Sequence, residues 1–322
     1  MANNPRVVVV GSYVQDLTWR CAAFPSAGQT IIGTFAEGMG GKGSNQAVAS
    51  ALAGASVRFV AAVGRDTFAR TAKEFYRENK IAARWIEKPG HATGTAGILV
   101  NAEGQNEIVV ALGANAKLSA KDLPASLFKG AKLVVTQFET NPTAVAHTLR
   151  AGRAAGAITV FNPAPMRADF KPAVLKHVDV LIPNETEFTE LVNLLPATGR
   201  TDFTETELGA LGVEAGGELQ TLCRALGVPV VIVTLGRRGC FVSTDAGGVL
   251  VPAFKVKAVD TTGAGDAFVG GFCAGWQHFD GDLAQAALFG NAVAALSVTK
   301  HGTAKAMPTL TAVKRFLKQA AR

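Results

Sequence analysis

Short, nearly uninterrupted apolar runs recur along the chain at Val7–Val10, Val57–Val63, Leu133–Val135, Ile158–Phe161, Val178–Ile182 and Val230–Thr234. Runs this short read as strands, and the lack of polar alternation says that both of their faces are buried. Between them lie alanine-rich segments whose apolar positions recur at helical spacing: Ser44–Leu52, Thr143–Ala155 and Leu219–Leu226. Strand alternating with helix predicts an α/β architecture, a mostly parallel central sheet with helices on both faces. Two stretches break the rhythm. Thr30–Glu37 and Thr95–Val110 look extended, and the second is interrupted by Ala102-Glu103-Gly104-Gln105, a hairpin-turn composition. No crossover helix follows either one. They predict a small antiparallel sheet projecting from the body, where a lid over a ligand crevice would sit. Pro196–Gly217, rich in threonine, glycine and acidic residues, reads as a surface excursion.

Composition narrows this picture. The 322 residues are 48% hydrophobic and 18% charged, which suits one large α/β domain with an appendage and excludes wholesale disorder. A formal charge of +7 raises the question of nucleic acid. The basic residues are scattered, however. Their tightest group, Lys314, Arg315, Lys318 and Arg322, alternates with Val313, Phe316, Leu317 and Ala320 at helical spacing, as on the wet face of a docked helix. The charge therefore reads as a general attraction for anionic substrates, and no nucleic-acid partner is expected. Cys21, Cys223, Cys240 and Cys273 lie far apart and the five histidines are isolated. They predict free thiols in a reducing compartment, not a disulfide frame or a zinc site. No apolar run approaches membrane-spanning length, and Val7–Val10 is too short for a signal-peptide core. A cytoplasmic protein without a membrane partner is the expectation.

The most informative stretch is Asp260-Thr261-Thr262-Gly263-Ala264-Gly265-Asp266, which runs into the apolar segment Ala267–Phe272. A glycine-rich turn opening a helix exposes unpaired backbone N–H groups, a ready site for an anion. A carboxylate beside such a site suits phosphoryl transfer, with Asp266 taking the proton of an attacking hydroxyl. The plain alternative is a helix N-cap. A second run, Gly40-Gly41-Lys42-Gly43-Ser44-Asn45, precedes a helix; its glycines let backbone approach a ligand, and Lys42 and Asn45 supply donors for sugar hydroxyls. It is not a Walker A loop, because Gly43 stands where Ser or Thr is required. The first strand ends in Gly11-Ser12-Tyr13-Val14-Gln15-Asp16, without the dinucleotide fingerprint. Asp16 is placed to accept bonds from ligand hydroxyls, or simply to form a turn. Asn184-Glu185-Thr186-Glu187 and Thr234-Leu235-Gly236-Arg237-Arg238-Gly239 follow strands at the end where α/β sheets bind ligands. Asn184 and Glu187 are spaced to hold a hydrated metal and a phosphate between them, and Gly236 and Gly239 would admit a nucleotide. A helix cap and a hairpin turn are the respective alternatives.

Taken in order, the runs 260–266 and 40–47, with Asn162-Pro163-Ala164-Pro165 and Pro183-Asn184-Glu185-Thr186-Glu187, resemble the ribokinase-like carbohydrate kinases over essentially the whole chain. The resemblance implies a single three-layer α/β domain over 1–322, with lid strands inserted at roughly 12–40 and 92–113. It implies ATP-dependent transfer of the γ-phosphate to the primary hydroxyl of a pentose, D-ribose foremost. Asp266 matches the family's catalytic base, and Gly263, Ala264 and Gly265 its anion hole. Asp16, Gly41, Lys42, Asn45 and Glu139 match sugar-binding positions. Asn184, Thr234, Gly236, Gly239, Gly265 and Asn291 match the ATP site, and Glu187 the residue linked to Mg2+ and phosphate. A K+ site is implied at Asp260, Thr262, Ser297, Lys300, Gly302 and Ala306, mostly through backbone carbonyls. A homodimer through the lid is implied as well.

Two positions depart from the family pattern. Ala306 stands where a serine hydroxyl often binds the cation. Val14 stands where asparagine is common and can neither donate nor accept a hydrogen bond. Either Gln15 or Tyr13 reaches into that gap, or the protein prefers a sugar lacking or repositioning the hydroxyl concerned. The rival readings are a kinase for deoxyribose, another pentose, a ketose or a nucleoside, and a silent sugar- or nucleotide-binding protein on the same scaffold. Asp266 beside an intact anion hole speaks against the silent binder. The missing fingerprint speaks against a dinucleotide-dependent oxidoreductase.

Overall fold

Successive residues of β1 (Val7–Val10) part company: Val7 and Val9 enter one hydrophobic core, Val8 and Val10 another. That division is why the run carries no polar residue, and it repeats along the sheet. The computed structural model describes residues 6–213 and 216–320. In chain order its further elements are β2 (Val14–Arg20), β3 (Thr34–Gly40), α1 (Lys42–Leu52), β4 (Val57–Val63), α2 (Thr67–Glu78) and β5 (Ala82–Glu87). Next come β6 (Gly94–Val100), β7 (Asn106–Ala111), β8 (Leu133–Thr136), α3 (Pro142–Ala154), β9 (Ile158–Phe161), β10 (Val180–Leu181), α4 (Glu185–Leu194), α5 (Glu205–Ala210) and α6 (Glu218–Ala225). The chain ends with β11 (Val230–Thr234), β12 (Cys240–Thr244), β13 (Gly247–Val251), α7 (Ala264–His278), α8 (Leu283–Ser297) and α9 (Leu310–Ala320).

The main sheet has nine strands in the order β13-β12-β11-β10-β9-β8-β1-β4-β5. It is parallel from β11 to β5 and antiparallel at the β12 and β13 edge. Residues of α1, α7 and α8 pack on one face, and residues of α3, α4 and α6 on the other, which makes the three expected layers. Three differences from the apolar pattern have physical causes. β5, β12 and β13 escape it: β5, at one sheet edge, mixes Arg84 and Glu87 with apolar residues, β13, at the other edge, opens on Gly247-Gly248, and β12, one strand in and buried, ends in Ser243-Thr244. The run at 178–182 yields only Val180–Leu181, since Val178 closes the 3-10 turn Pro172–His177 with its N–H on Leu175 O. The 196–217 excursion carries α5 and sinks Phe203 and Leu208 into the core; residues 214 and 215 lie outside the described residues. At the C-terminus Val313 is buried while Lys314, Arg315 and Lys318 face water; Ala320 is exposed too, and Arg322 is outside the described residues.

The small sheet, in the order β3-β2-β6-β7, is mixed and not purely antiparallel. Its central pair, β2 and β6, is parallel, flanked by antiparallel β3 and β7. The reason is topological: β2 leaves the body from the carboxyl end of β1 and β6 from that of β5, so both strands run outward in the same sense. Glycines then set how closely the helices beneath it pack. A Cβ at Gly270 of α7 would fall 2.5 Å from Ala49 Cβ in α1, and one at Gly271 would fall 2.7 Å from Val293 Cβ in α8. With no side chains between them, α1 and α7 bring their polar N-terminal ends together, and this close packing builds the site.

Candidate active site

The N-terminal ends of α1, α4 and α7 and one face of the small sheet converge on a cleft of ≈ 280 Å³. Asp266 lies at its floor. Helix α7 is capped by Gly263 in the left-handed region (φ 76°), where a residue with a Cβ would be strained, and no side chain satisfies the first turn. Asp266 is therefore not the N-cap. Its Oδ2 accepts from Asn45 Nδ2 at 2.9 Å and its Oδ1 from Gln46 Nε2 at 3.0 Å, both from α1. Gln46 also donates to Asn162 Oδ1 at 3.0 Å, and Asn162 donates to Ile182 O at 2.8 Å. Burial pushes the Asp266 carboxyl above the usual carboxylate range, against the pull of Lys42 and of the Asn45 and Gln46 amides. Burial alone would lower the Lys42 ammonium, but the charges of Asp266, Glu139 and Glu187 outweigh it and raise its pKa.

The sugar-side residues converge as well: Asp16, Gly41, Lys42, Asn45 and Glu139 all line the cleft. Glu139 Oε2 accepts from Ser12 Oγ at 2.6 Å and from the Lys42 N–H at 2.8 Å, tying the turn after β1 to the start of α1. The glycines of the 40–43 run serve the protein's own backbone first: a Cβ at Gly43 would fall 2.6 Å from Gly11 Cα, and one at Gly40 would fall 2.3 Å from the Asp16 carboxylate. Asn45 Oδ1 is buried with no partner, an acceptor available to a bound hydroxyl. Burial pushes the Asp16 carboxyl up to about 7; the Thr303 hydroxyl opposes this, and the charges of Glu139 and Asp266 add to it.

Strand alternation puts Val14 on the cleft face with Asp16. Gln15 turns away, and its Oε1 accepts from Tyr13 Oη at 2.8 Å, with both side chains buried. Neither side chain reaches into the gap at Val14. That part of the wall is apolar, formed by Val14, Ala96, Ile98, Ile108 and Val110.

On the opposite side, Asn184 does cap α4. Its Oδ1 accepts from the Glu187 N–H at 2.8 Å while Glu187 Oε2 accepts from the Asn184 N–H at 2.9 Å. This capping box leaves Asn184 Nδ2 and Glu187 Oε1 for the cleft, which both residues line together with Thr234. Burial raises the Glu187 carboxyl, opposed by the Asn184 bond and by Lys42. Gly236 and Gly239 belong to the turn between β11 and β12. The glycine at 239 (φ 105°) answers to β13, because a Cβ there would fall 2.1 Å from Val251 O. Asn291 donates to Val251 O and Pro252 O at 3.0 Å each, pinning the same segment. Gly236, Gly239 and Asn291 do not line the cleft.

The expected cation positions fall on adjoining loops. Asp260 Oδ1 accepts from the Thr262 N–H at 2.9 Å and Oδ2 from the Gly302 N–H at 3.0 Å. These bonds outweigh burial and hold the carboxyl below its usual range. Ser297 Oγ donates to Ala294 O, the Lys300 N–H to Ser297 O, and the Ala306 N–H to Thr303 O. Among the described residues no group of three or more His, Cys, Asp or Glu side chains could hold a metal, so a cation here would depend on backbone oxygens. Gln46, Asn162 and Thr303 also belong to the site and were not singled out as site residues. Gln46 and Asn162 lie inside the 40–47 and 162–165 runs, and alternation in β6 and β7 points to Ile98, Ile108 and Val110; nothing in the sequence marks Thr303.

A fold of three layers, a glycine-capped helix at the cleft floor and a carboxylate beside it form the arrangement that phosphoryl transfer requires. The chain matches the model of the pfkB family carbohydrate kinases over residues 4–310 and belongs to that family. It is 37% identical over 309 residues to ribokinase of Mus musculus, covering 94% of this chain and 91% of the relative. It is 34% identical over 318 residues to deoxyribokinase of Salmonella typhi, covering 97% and 98%. Among solved structures, ribokinase from Giardia lamblia aligns with a TM-score of 0.85 at 33% identity, covering 99% of this chain and 100% of that one. Arabidopsis thaliana ribokinase, solved complexed with ribose and ATP, aligns with a TM-score of 0.82 at 26% identity, covering 98% and 99%.

Proposed function

We propose that this chain transfers the γ-phosphate of ATP to the primary hydroxyl of a pentose, with D-ribose giving ribose 5-phosphate. The observation that carries the reading is the position of Asp266: buried, raised in pKa, held by two amides and set in the first turn of α7. A raised pKa makes it a stronger base for the sugar hydroxyl. The N–H groups of the first turn, around Gly263, Ala264 and Gly265, stabilise charge on the transferring phosphoryl group. Asp16, Asn45, Lys42, Gly41 and Glu139 hold the sugar, and positioning accounts for most of the rate. On the nucleotide side, Asn184, Glu187 and Thr234 meet the phosphates. Gly236, Gly239 and Asn291 act at one remove, fixing the 234–239 turn against the 251–252 segment. The ribose and ATP of the Arabidopsis relative support both halves of this assignment.

Mg2+ fits here as a partner of the nucleotide: Glu187 would offer it one carboxylate oxygen, with phosphate and water as its other ligands, the usual arrangement for this ion. When bound it neutralises phosphate charge. K+ fits the 260–262 and 297–306 loops less fully, because Ala306 brings no hydroxyl; its charge would steady the loop leading to Gly263. We extend the reading to a cytoplasmic homodimer. The face of the small sheet turned away from the cleft exposes Trp19, Phe35 and Val109 (39%, 52% and 77%), an apolar surface that a second copy would cover. A second substrate has specific support. The apolar wall at Val14 leaves one sugar hydroxyl without a partner, and a deoxyribokinase is among the relatives. We therefore expect ribose to be phosphorylated with weak discrimination against 2-deoxyribose. ADP release measured over a panel of pentoses, hexoses and nucleosides tests the whole reading. Turnover confined to nucleosides or hexoses would overturn the pentose assignment, and no turnover at all would overturn the kinase.

A further inference from the structure

Thr303 lies where three parts of the site meet. Its Oγ1 donates to Met39 O of β3 at 2.8 Å and lies 3.4 Å from Asp16 Oδ2 of β2. Its methyl carbon, Cγ2, is 3.3 Å from where a Cβ would stand on Gly263, the cap of α7. The neighbouring Gly302 N–H is held by Asp260, so the loop that presents Thr303 is itself fixed. Thr303 is buried and lines the cleft. One side chain thus touches the small sheet and the sugar-side carboxylate through its hydroxyl, and the first glycine of the anion hole through its methyl.

We infer that Thr303 is a positioning residue that couples seating of the sugar to formation of the anion hole, with the hydroxyl and the methyl carrying separable halves of the task. This rests on the kinase reading above. The hydroxyl latches β3 to the 302–306 loop through Met39 O and sets the position of the strand pair that carries Asp16 beside it, so its loss weakens sugar binding. The methyl fills the space over Gly263, whose lack of a side chain otherwise leaves the α7 cap free to shift. Its loss loosens the N–H groups facing the phosphoryl group, which matters in the transition state and not in sugar binding.

The test is a pair of substitutions, each keeping one half. Thr303→Val retains a methyl and removes the hydroxyl; Thr303→Ser does the reverse. The wild type is assayed first over the sugar panel, and its best sugar is used thereafter. With that sugar, Thr303→Val should raise KM for the sugar about three- to tenfold, the worth of one hydrogen bond, and change kcat less than twofold. Thr303→Ser should lower kcat about three- to fivefold, the worth of one buried methyl, with KM for the sugar nearly unchanged. Calorimetric titration of sugar without nucleotide should reproduce the first effect and not the second. If both variants move KM and kcat together alongside a fall in melting temperature, or if neither moves either constant, the coupling is wrong. A wild type that turns over no sugar defeats the kinase reading itself, a different result from an active enzyme whose variants show no split.

Discussion

The two walls of the cleft are built on opposite plans. The floor around Asp266 is buried and cross-braced: α1, α7 and the loops after β9 and β10 are joined through Asn45, Gln46 and Asn162. The roof is a four-stranded sheet whose cleft-facing Ile108 and Val110 are still 46% and 42% exposed, and whose Val14 offers no polar atom. Reaction chemistry needs groups fixed before the substrate arrives, and on the proposed reading the floor is where they lie. Recognition needs surface that the substrate itself completes, and the roof supplies that. The floor should therefore tolerate almost no change, whereas the roof can be altered to change the sugar without abolishing turnover.

The contrast is broken most severely at the floor. Asp266→Asn keeps the size and most of the hydrogen bonding but cannot take a proton. Turnover should fall by about two to four orders of magnitude, with nucleotide affinity little changed. Near-normal turnover in a stopped assay of ADP release would remove Asp266 from the role of base. The outer face of the roof comes next. Phe35→Glu together with Val109→Glu should weaken self-association about a hundredfold or more by burying charge in an apolar contact. Sedimentation velocity reads this directly, and a wild type that is monomeric at all concentrations rules the dimer out. Within the cleft, Val14→Asn should raise the ratio of kcat/KM for ribose to that for 2-deoxyribose about five- to fiftyfold, the range for satisfying one buried hydroxyl. An unchanged ratio would mean that no sugar hydroxyl faces this position.

The smallest effect lies where floor and roof join, at Asp16. Burial raises its carboxyl from 3.8 to about 7, so the folded state holds a proton that the unfolded chain has already released. The stability this contributes is fully present below about pH 4 and is lost as pH rises through about 7. Asp16→Asn should accordingly melt about 3–6 °C above the wild type at pH 8, and the gap should close toward pH 4. Calorimetry at the two pH values decides it; a gap that is larger in acid reverses the sign and the assignment.

Legibility in the sequence followed the physics of each region. Strands buried on both faces announced themselves: β1, β4, β9 and β11 fall on their apolar runs residue for residue. The edge strands did not: Arg84 and Glu87 interrupt β5, and two glycines open β13. Of the small sheet, β6 and β7 fell on the extended stretch 95–110 to within a residue and β3 overlapped 30–37 only from Thr34, while β2 lay outside both stretches. Alternation in one strand also says nothing of the direction of its neighbour, which connectivity to β1 and β5 decides. The same holds for the site. The place of Asp266 at the cleft was legible because glycines on both sides of Ala264 mark a turn that opens a helix; its role as base is the proposal made above. Asn184 and Glu187 were legible only as candidates, since capping and ligand binding call for the same residues, and here they cap. Gly239 and Asn291 were matched by resemblance, yet their contacts are with the protein's own β13 segment. Gln46 and Asn162 lay inside runs that carry the resemblance, but the bond of Gln46 to Asp266 and the bond between the two come from packing; Thr303 has no local pattern at all.

The cleft also differs in polarity from the molecule that contains it. The chain as a whole bears a formal charge of +7. The cleft lining sets four acidic side chains, Asp16, Glu139, Glu187 and Asp266, against the single ammonium of Lys42, with Asp16 only partly ionised near pH 7. A polyanion is thus drawn from a distance by the surface and resisted at close quarters by the site. A neutral sugar meets no such resistance. The lining therefore acts as an electrostatic turnstile. It admits an uncharged acceptor freely and a nucleotide only once its phosphates are counterbalanced, which disfavours a bare triphosphate reaching Asp266 ahead of the sugar and being spent on water.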